Sequence, residues 1–317
     1  MRTWIAVAVL ALSGSSLAVA SSPSVKVQLP CESHDQTLSP TGAQLVVVCT
    51  DHSLHLVSVS DGTQRELLPA DHPASAVAYS LDGRRLALGF SDGTVQVLST
   101  DNSAPAQQWK ATAARRIDLL YFFPDAKNLV VAPTDTPGEV WELTATPSQR
   151  ASLPADFGGM AAVAASPDGK LLVTAGGDTV LRIYDTATWR KLGEYRDFLL
   201  DTFALRFTPD GKRLLAGGAD SRITVLDPAT AKAVGQLPPE SGSFIVSLEL
   251  LSGTQRAVTV YADNAGEKPP HALIWDIAAR KAVPVKFDAM PTCGGVVKDK
   301  LWLCTTEGKT ITITQQE

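Results

Sequence analysis

Four cysteines are the residues of this 317-residue chain whose type and spacing most directly suggest chemistry. Cys31 and Cys49 lie in the first part of the sequence, Cys293 and Cys304 lie in the last part, and no cysteine lies between. Four cysteines allow three pairings, and sequence does not choose among them. In an oxidising compartment two disulfides are the default. A metal site is the weaker interpretation, because no C-x-x-C pair or neighbouring histidine supplies ligand spacing.

The histidines and the common catalytic motifs predict no catalytic site. His52 and His55 are three positions apart on an extended segment, so their side chains face opposite sides and cannot share one metal as strand neighbours. No G-x-S-x-G, H-E-x-x-H or phosphate-binding P-loop occurs. We therefore expect no catalytic residue, no cofactor and no metal, and a protein that is not an enzyme.

Short apolar runs along the chain are preceded by segments, here called connectors, that often carry an acid. These acids are Asp35, Asp71, Asp118, Asp156, Asp197, Asp201, Glu240 and Asp288. A solvated rim is the simplest interpretation, and calcium binding by the carboxylates is the alternative. Exposed apolar residues beside these charges are typical of an interaction surface. The predicted interaction residues are Arg116, Phe157, Asp197, Phe198, Leu199, Asp201, Phe244 and Met290.

A repeated turn positions these connectors. The segment 166–185 contains a turn, a strand, a second turn and a second strand, and weaker copies recur at intervals of roughly 41 to 46 residues. The first turn is a tetrad in which Pro presets φ, Asp bonds its own backbone and Gly takes positive φ. The clearest tetrads begin at Ser39, Ser80, Phe123, Ser166 and Thr208, with degraded copies near Leu251 and Lys298.

The strands around each tetrad predict a four-stranded sheet per repeat. A small apolar run precedes the tetrad, as in 203–207, and an apolar strand follows it, as in 213–216. A Gly/Asp turn such as 176–178 or 217–220, an alternating strand such as 222–226 and a polar outer strand such as 189–195 complete the repeat. No helical pattern occurs. The sequence therefore predicts an all-β, seven-bladed β-propeller of four-stranded antiparallel blades.

The ends of the third strands resemble those of the WD-repeat family. Tyr184-Asp185 and Trp275-Asp276 are similar to the hallmark Trp-Asp dipeptide, and Trp141-Glu142 and Leu226-Asp227 occupy the same place. The Asp of the second turn, at positions 92, 178 and 220, also matches. No Gly-His dipeptide precedes the inner strands, so the family's His–Ser/Thr–Asp–Trp hydrogen-bond network is incomplete. The resemblance, to a divergent bacterial and exported member, covers about residues 25–315 and implies a protein-binding propeller.

Strand counting predicts how such a ring closes. The last repeat is one strand short, and the alternating segment 25–29 is spare, so we expect the N-terminal strand to complete the last blade. Each cysteine pair flanks a turn, which favours Cys31–Cys49 and Cys293–Cys304 disulfides within blades. A Cys31–Cys293 bridge is the alternative, and a Cys49–Cys304 bridge is disfavoured by the splay of second strands.

The N-terminal residues predict export. Arg2, the apolar run 4–12 and Ala18-Val19-Ala20 are typical of a signal peptide, so residues 1–20 are expected to be removed and residues 21–317 to form one propeller. We expect a periplasmic or secreted monomer without a transmembrane segment. The net charge of −5 disfavours nucleic acid. The function expected is binding of a protein or peptide; the alternative is a lactonase-like enzyme or ligand binder with calcium or a small molecule at the acidic channel mouth.

Overall fold

The computed structural model describes strands, turns and bends and contains no helix in the part of the chain it covers. It describes residues 24–29, 31–51, 53–72, 74–101, 103, 106–154, 159–240, 242–250, 256–263, 271–285, 293–297, 300–307 and 310–316. The expected all-β class is confirmed. The signal peptide predicted for residues 1–20 lies outside the described residues. No helix long and apolar enough to cross a membrane occurs in the described part.

The strands are numbered in chain order. The first fourteen are β1 (Ser24–Gln28), β2 (Ser33–Leu38), β3 (Gln44–Cys49), β4 (Leu54–Ser58), β5 (Gln64–Leu68), β6 (Ala74–Tyr79), β7 (Arg85–Phe90), β8 (Thr94–Ser99), β9 (Gln107–Lys110), β10 (Ile117–Phe122), β11 (Asn128–Pro133), β12 (Gly138–Glu142), β13 (Ser148–Leu153) and β14 (Met160–Ala165). The others are β15 (Leu171–Gly176), β16 (Leu181–Asp185), β17 (Lys191–Tyr195), β18 (Thr202–Phe207), β19 (Leu214–Gly218), β20 (Ile223–Asp227), β21 (Lys232–Leu237), β22 (Ser243–Leu250), β23 (Arg256–Asp263), β24 (His271–Asp276), β25 (Lys281–Val285), β26 (Cys293–Val297), β27 (Lys300–Glu307) and β28 (Thr310–Gln316).

These strands form seven four-stranded antiparallel sheets within the described residues, in two compact units. The unit of residues 74–245 contains the sheets β6–β9, β10–β13, β14–β17 and β18–β21, each with its strands in sequence order. The unit of residues 1–73 and 246–317 contains the sheets β2–β5 and β1-β28-β27-β26 and most of the sheet β22–β25. The predicted repeat of four strands is confirmed.

The tetrads join the first and second strands as the sequence predicts. In the tetrad that starts at Ser166, the Gly169 N–H donates to the Ser166 carbonyl oxygen at 2.8 Å, and Gly169 has a φ of +71°. Asp168 accepts from the Ser166 hydroxyl at 2.6 Å and from the Lys170 N–H at 3.1 Å. Ala126 takes the glycine position of its own tetrad with a φ of +54°. The turn residues therefore stabilise the turn itself.

In the 74–245 unit the core lies between consecutive sheets. Strands β6 and β10, β10 and β14, and β14 and β18 are neighbours, and small side chains such as those of β14 let these inner strands approach one another. Larger apolar residues of adjacent sheets pack into shared clusters; one contains Leu181 and Ile183 of one sheet with Leu205 and Phe207 of the next. The two middle sheets of this unit thus pack against a neighbouring sheet on each face, and this packing fixes the connectors that precede the inner strands.

A β-bulge recurs near the start of the inner strand. The register shifts by one residue between Ile117 and Leu119 and between Thr202 and Ala204, and the same shift occurs in β6 and β14. The extra residues are Ser75, Asp118, Ala161 and Phe203. The Ser75 hydroxyl donates to the carbonyl oxygen of Ile117 at 2.7 Å, which links β6 to β10. Bulges re-aim side chains at strand ends, and here they lie next to the connectors.

The structure corrects two details of the sequence interpretation. Gly176 and Gly218 were expected to be turn glycines, but they end β15 and β19. A Cβ on Gly176 would overlap the carbonyl oxygen of Gly159, and one on Gly218 would overlap that of Asp201. Close backbone approach therefore requires these glycines. Trp189, expected in the outer strand, lies instead in the turn before β17, with a φ of +58°.

In the other unit the N-terminal strand completes the last sheet. Strand β1 pairs antiparallel with β28, with Val27 opposite Ile311, as strand counting predicts. Val27 and Leu29 are buried in one cluster with Leu45, Val57 and other residues of the β2–β5 sheet and its flanks. The chain is therefore joined near its two ends by the pairing of β1 with β28, and the buried face of β1 packs on the β2–β5 sheet.

The disulfide expected between Cys31 and Cys49 is confirmed, with a Cα–Cα distance of 5.7 Å. It excludes the alternative Cys31–Cys293 bridge. Cys293 and Cys304 lie directly opposite each other in the antiparallel pair β26–β27, but their side chains lie outside the described residues. The second predicted bridge therefore stays a prediction, and its backbone register is compatible with it.

Candidate functional site

The connectors and the tetrads lie at opposite ends of the strands in the 74–245 unit, because every inner strand begins at a connector and ends at a tetrad. The connector between β17 and β18, residues 196–201, carries four of the predicted interaction residues. They are Asp197, Phe198, Leu199 and Asp201. The candidate site is built from this segment and its neighbours.

Leu199 and Leu200 form an exposed apolar pair on the 196–201 connector. Their side chains are 63% and 51% exposed. Phe198, which was expected to be exposed, is buried to 7% and meets Tyr195 edge-on at 5.0 Å between ring centroids. The expected exposure of Phe198 is wrong because its ring belongs to the core cluster with Leu205 and other residues. Phe198 anchors the connector, and Leu199 and Leu200 are left facing solvent.

The backbone of β19 holds the other end of this connector. The Ala219 N–H donates to the Asp201 carbonyl oxygen at 2.9 Å, and the absent Cβ of Gly218 leaves room for that carbonyl. Phe198 on one side and Asp201 on the other therefore fix both sides of the leucine pair. A connector fixed in this way presents an apolar contact without a large ordering cost on binding.

The carboxylates of Asp197 and Asp220 act on the buried Tyr195, whose ring packs on Phe198 and so helps anchor the connector. The pKa of the Tyr195 hydroxyl is raised, first by burial and then by the charges of Asp197 and Asp220. The nearest basic group in sequence, Arg196, donates from Nε to Glu194 at 2.7 Å, and Lys191 donates to the other oxygen of Glu194 at 2.8 Å. An apolar pair beside carboxylates fits a partner that combines an apolar side chain with a basic one.

The predicted residue Arg116 lies on the connector before β10. It is exposed, and its Nε is 3.3 Å from an oxygen of Asp118, the bulge residue of that strand. The Thr134 N–H donates to the Arg116 carbonyl oxygen at 2.8 Å, so this connector is also tied to its own sheet. Arg116 therefore adds a basic group paired to an acid, and the structure leaves its predicted role in binding untested.

Sequence analysis missed Glu139, a buried carboxylate that fixes the same connector. Its Oε1 accepts from the Thr112 N–H at 2.9 Å, and its Oε2 accepts from the Trp141 indole N–H at 2.7 Å. Glu139 is 4% exposed. No local pattern signals this role, because the Thr112 donor lies 27 positions away in sequence.

The remaining predicted residues contribute less to the described surface. Phe244 is half-buried in β22, and Phe157 and Met290 lie outside the described residues. The acids of the described connectors do not converge: the described part of the chain contains one group of three possible metal ligands within reach of one another, and it contains no carboxylate. No described geometry therefore supports the calcium alternative.

That group consists of Cys31, Cys49 and His55, and sequence analysis missed it. His55 lies opposite Val47 in the β3–β4 pair, so its side chain shares a sheet face with Val47 and Cys49. The signal in the sequence is a cysteine at the end of one strand and a histidine six positions later, across a hairpin turn. The conclusion that no histidine neighbours the cysteines is therefore wrong for His55.

The tetrad end of the same unit carries an open cleft of about 390 Å³. Phe123 and Trp189 meet edge-on in it, with 5.9 Å between ring centroids, and Asp125 and Asp168 lie on its rim. Both carboxylates already accept backbone N–H groups of their own turns. These two carboxylates therefore already have a structural role in the turns beside the cleft.

One pair of the hydrogen-bond network that the resemblance implies occurs in the described residues, and the second-turn Asp of another repeat bonds within its own hairpin. The Trp275 indole donates to the buried hydroxyl of Thr259 at 2.9 Å in the β22–β25 sheet. Asp178, in the second turn of its repeat, forms a buried ion pair with Arg182 and accepts the Val180 N–H at 3.2 Å. The predicted equivalence of the strand ends is also confirmed, because Glu142, Asp185, Asp227 and Asp276 all end third strands.

Comparison with known proteins agrees with this geometry. Residues 148–185 match the family model of the WD domain, G-beta repeat. No curated protein sequence matches the chain significantly. The crystal structure of a Mitotic Checkpoint Complex contains a chain with 15% identity and a TM-score of 0.75, over 100% of this chain and 99% of that one. The Cps50 (Swd1) β-propeller domain of Myceliophteria thermophila has 14% identity and a TM-score of 0.71, over 93% of this chain and 100% of that one.

Proposed function

We propose that this chain, a WD40-repeat β-propeller, is a non-catalytic interaction module that binds a protein or peptide through its 196–201 connector. The observation that carries the proposal is the exposed pair Leu199 and Leu200, held between the buried ring of Phe198 and the bonded carbonyl of Asp201. WD40 propellers commonly bind proteins, and one of the similar structures is that of a complex. Exposed apolar residues on a loop that is already fixed can contact a partner with little loss of conformational entropy.

The partner we infer carries an apolar side chain next to a lysine or arginine. The apolar side chain would pack on Leu199 and Leu200, and the basic group would face Asp197 and Asp220, whose charges already act on Tyr195. Complementary charge of this kind mainly raises the association rate and weakens with salt. Asp197→Asn is therefore expected to slow association at low salt and to leave binding at high salt nearly unchanged.

We further propose that the protein acts outside the cytoplasm, in a bacterial periplasm or beyond. The support is the sequence of residues 1–20, with Arg2, an apolar run and a small-residue cleavage pattern. N-terminal sequencing of the protein purified from an envelope fraction is expected to start at Ser21. An N-terminus at Met1 in a cytoplasmic fraction would contradict export and leave the binding proposal intact.

Matched leucine variants test the binding proposal. Leu199→Asp is expected to reduce recovery of its partner from envelope extract by at least tenfold, because a charge replaces an apolar contact at the centre of the site. Leu81→Asp is the control: Leu81 is also 63% exposed, but it lies in a tetrad at the other end of the strands. Equal loss in both variants, or loss in Leu81→Asp alone, would place binding elsewhere.

A further inference from the structure

Three side chains of types that can bind a metal lie together in the unit that contains β2–β5. They belong to Cys31, Cys49 and His55. The two sulfurs, which are joined in the disulfide, and a ring nitrogen of His55 lie within 4.8 Å of one another. The three residues are 8%, 0% and 7% exposed. The group is outside the proposed interaction site and is not explained by it.

The ring of His55 is oriented by a short relay. The Ser53 hydroxyl donates its only proton to Asp51 Oδ1 at 2.7 Å, so at its 3.1 Å contact with His55 Nε2 it must act as the acceptor. Nε2 therefore carries the ring proton, and Nδ1 keeps the lone pair that a metal requires. A metal-binding histidine is commonly fixed in this way, by a hydrogen bond from its other nitrogen.

The turn that carries this relay is itself fixed. The Cys49 N–H donates to the Ser53 carbonyl oxygen at 2.9 Å, and the Thr50 N–H donates to that of Glu32 at 2.9 Å. These bonds hold the chain on both sides of the cysteine pair without involving either sulfur.

We propose that the thiol form of this cluster is a zinc site and that the disulfide form closes it. Two thiolates and one imidazole are ligands that Zn²⁺ favours, with a fourth position left for water. In the disulfide form neither sulfur is a thiolate, so Zn²⁺ has no site. The residues around Cys31 and Cys49 are then joined either by a covalent bond or through a metal ion.

The two steps balance with a phosphine as reductant. The phosphine takes the oxygen of one water molecule and becomes a phosphine oxide, and the S–S bond breaks to give two thiols that receive the two protons and two electrons. Zn²⁺ then binds the two sulfurs and His55 Nδ1, and the two thiol protons are released to solvent.

Cobalt titration of the reduced full chain tests the proposal, because thiolate-bound Co²⁺ absorbs in the near ultraviolet and tetrahedral Co²⁺ absorbs in the visible. We expect one Co²⁺ per chain after phosphine treatment, displaced by Zn²⁺, and none in the oxidised protein. The double variant Cys31→Ser, Cys49→Ser is expected to lose the bands. The matched double variant Cys293→Ser, Cys304→Ser is expected to keep them. Bands that persist in the Cys31→Ser, Cys49→Ser variant and disappear in the Cys293→Ser, Cys304→Ser variant would overturn the proposal.

The histidine is tested separately. His55→Ala is expected to weaken Co²⁺ binding at least tenfold, whereas His72→Ala, at an exposed histidine that contacts Asp71, is expected to leave it unchanged. If His55→Ala does not fold, Ser53→Ala tests the same ligand by removing the acceptor of its Nε2 proton, with about tenfold weaker binding expected. Wild-type affinity in the folded variant would show that His55 is not a ligand.

Discussion

Single buried side chains determine where the connectors of the 74–245 unit lie. Phe198 inserts its ring beside Tyr195, and Glu139 accepts N–H groups from Thr112 and Trp141. The sequence predicted Phe198 as a contact residue, because an aromatic beside charges is typical of an exposed site. Its burial depends on the neighbouring sheet, which spacing along one segment does not reveal.

Glu139→Ala is expected to lower the free energy of unfolding by about 1–3 kcal/mol, because the partly buried N–H donors of Thr112 and Trp141 would lose their acceptor. Urea denaturation measures the change. Glu142→Ala is the matched control three positions along β12, where the carboxylate is partly exposed and lies 3.3 Å from Arg150. Its expected cost is below about 1 kcal/mol. Equal costs would show that Glu139 is not a structural acceptor.

Acid is expected to weaken the tetrads through their carboxylates. The pKa of Asp168 is lowered by the hydrogen bond from the Ser166 hydroxyl and then by the Lys170 N–H, and Thr208 and Lys212 do the same for Asp210. A carboxyl with a lowered folded pKa stabilises the fold above its unfolded pKa, near about 4, and this stabilisation is lost as the pH falls through the folded value.

The expected result is a free energy of unfolding that declines below about pH 4, with a smaller decline in the double variant Asp168→Asn, Asp210→Asn. Urea denaturation at several pH values between about 7 and 2 measures it. An identical decline in the variant would mean that other groups account for the acid sensitivity.

The tetrads are the elements that the sequence predicted best. Their Pro, Asp and Gly residues act within a few positions of one another, so the local pattern contains nearly all of the information. The bulges were not predicted, because an extra residue such as Asp118 is visible only once two strands are paired. The need for glycine at position 218 was not predicted for the same reason, since it depends on the carbonyl of Asp201, 17 positions away in sequence.

Replacing Ala126 with glycine is expected to stabilise the protein through its turn. It has a φ of +54° where the other intact tetrads have glycine, so Ala126→Gly is expected to stabilise the protein by about 1 kcal/mol. Gly169→Ala is the reciprocal variant: no atom lies within 4 Å of the new Cβ, so its cost of about 1 kcal/mol would come from φ alone. Thermal unfolding measures both. A stabilising Gly169→Ala would contradict this account of the turn.

At the scale of the molecule, a fixed repeat length and the spare segment 25–29 were sufficient to predict four-stranded sheets and the β1–β28 pairing. The blade count of the propeller stays a prediction. The candidate site was predicted less well, because Leu200 and Glu139 follow no repeat and their roles depend on packing between sheets. Function lies where the repeats differ, and periodicity says least about those positions.

The joint between the chain's two ends is expected to be sensitive to charge on one face of β1 only. Val27→Asp places a carboxylate in the core cluster with Leu45 and Val57 and is expected to cost at least about 3 kcal/mol or prevent folding. Lys26→Asp, at the exposed neighbouring position, is expected to cost below about 1 kcal/mol. Thermal unfolding compares them, and similar costs would contradict the burial of β1.

Site-specific photocrosslinking tests the central claim most directly. A photoreactive amino acid at Leu199 or Leu200 is expected to give the same crosslinked product in cells, since both side chains are exposed on the connector proposed to bind the partner. The matched probes at Leu81 and Leu192, which are 63% and 60% exposed, are expected to give none. A product from Leu81 or Leu192 with none from Leu199 and Leu200 would contradict the assignment of the 196–201 connector as the binding site.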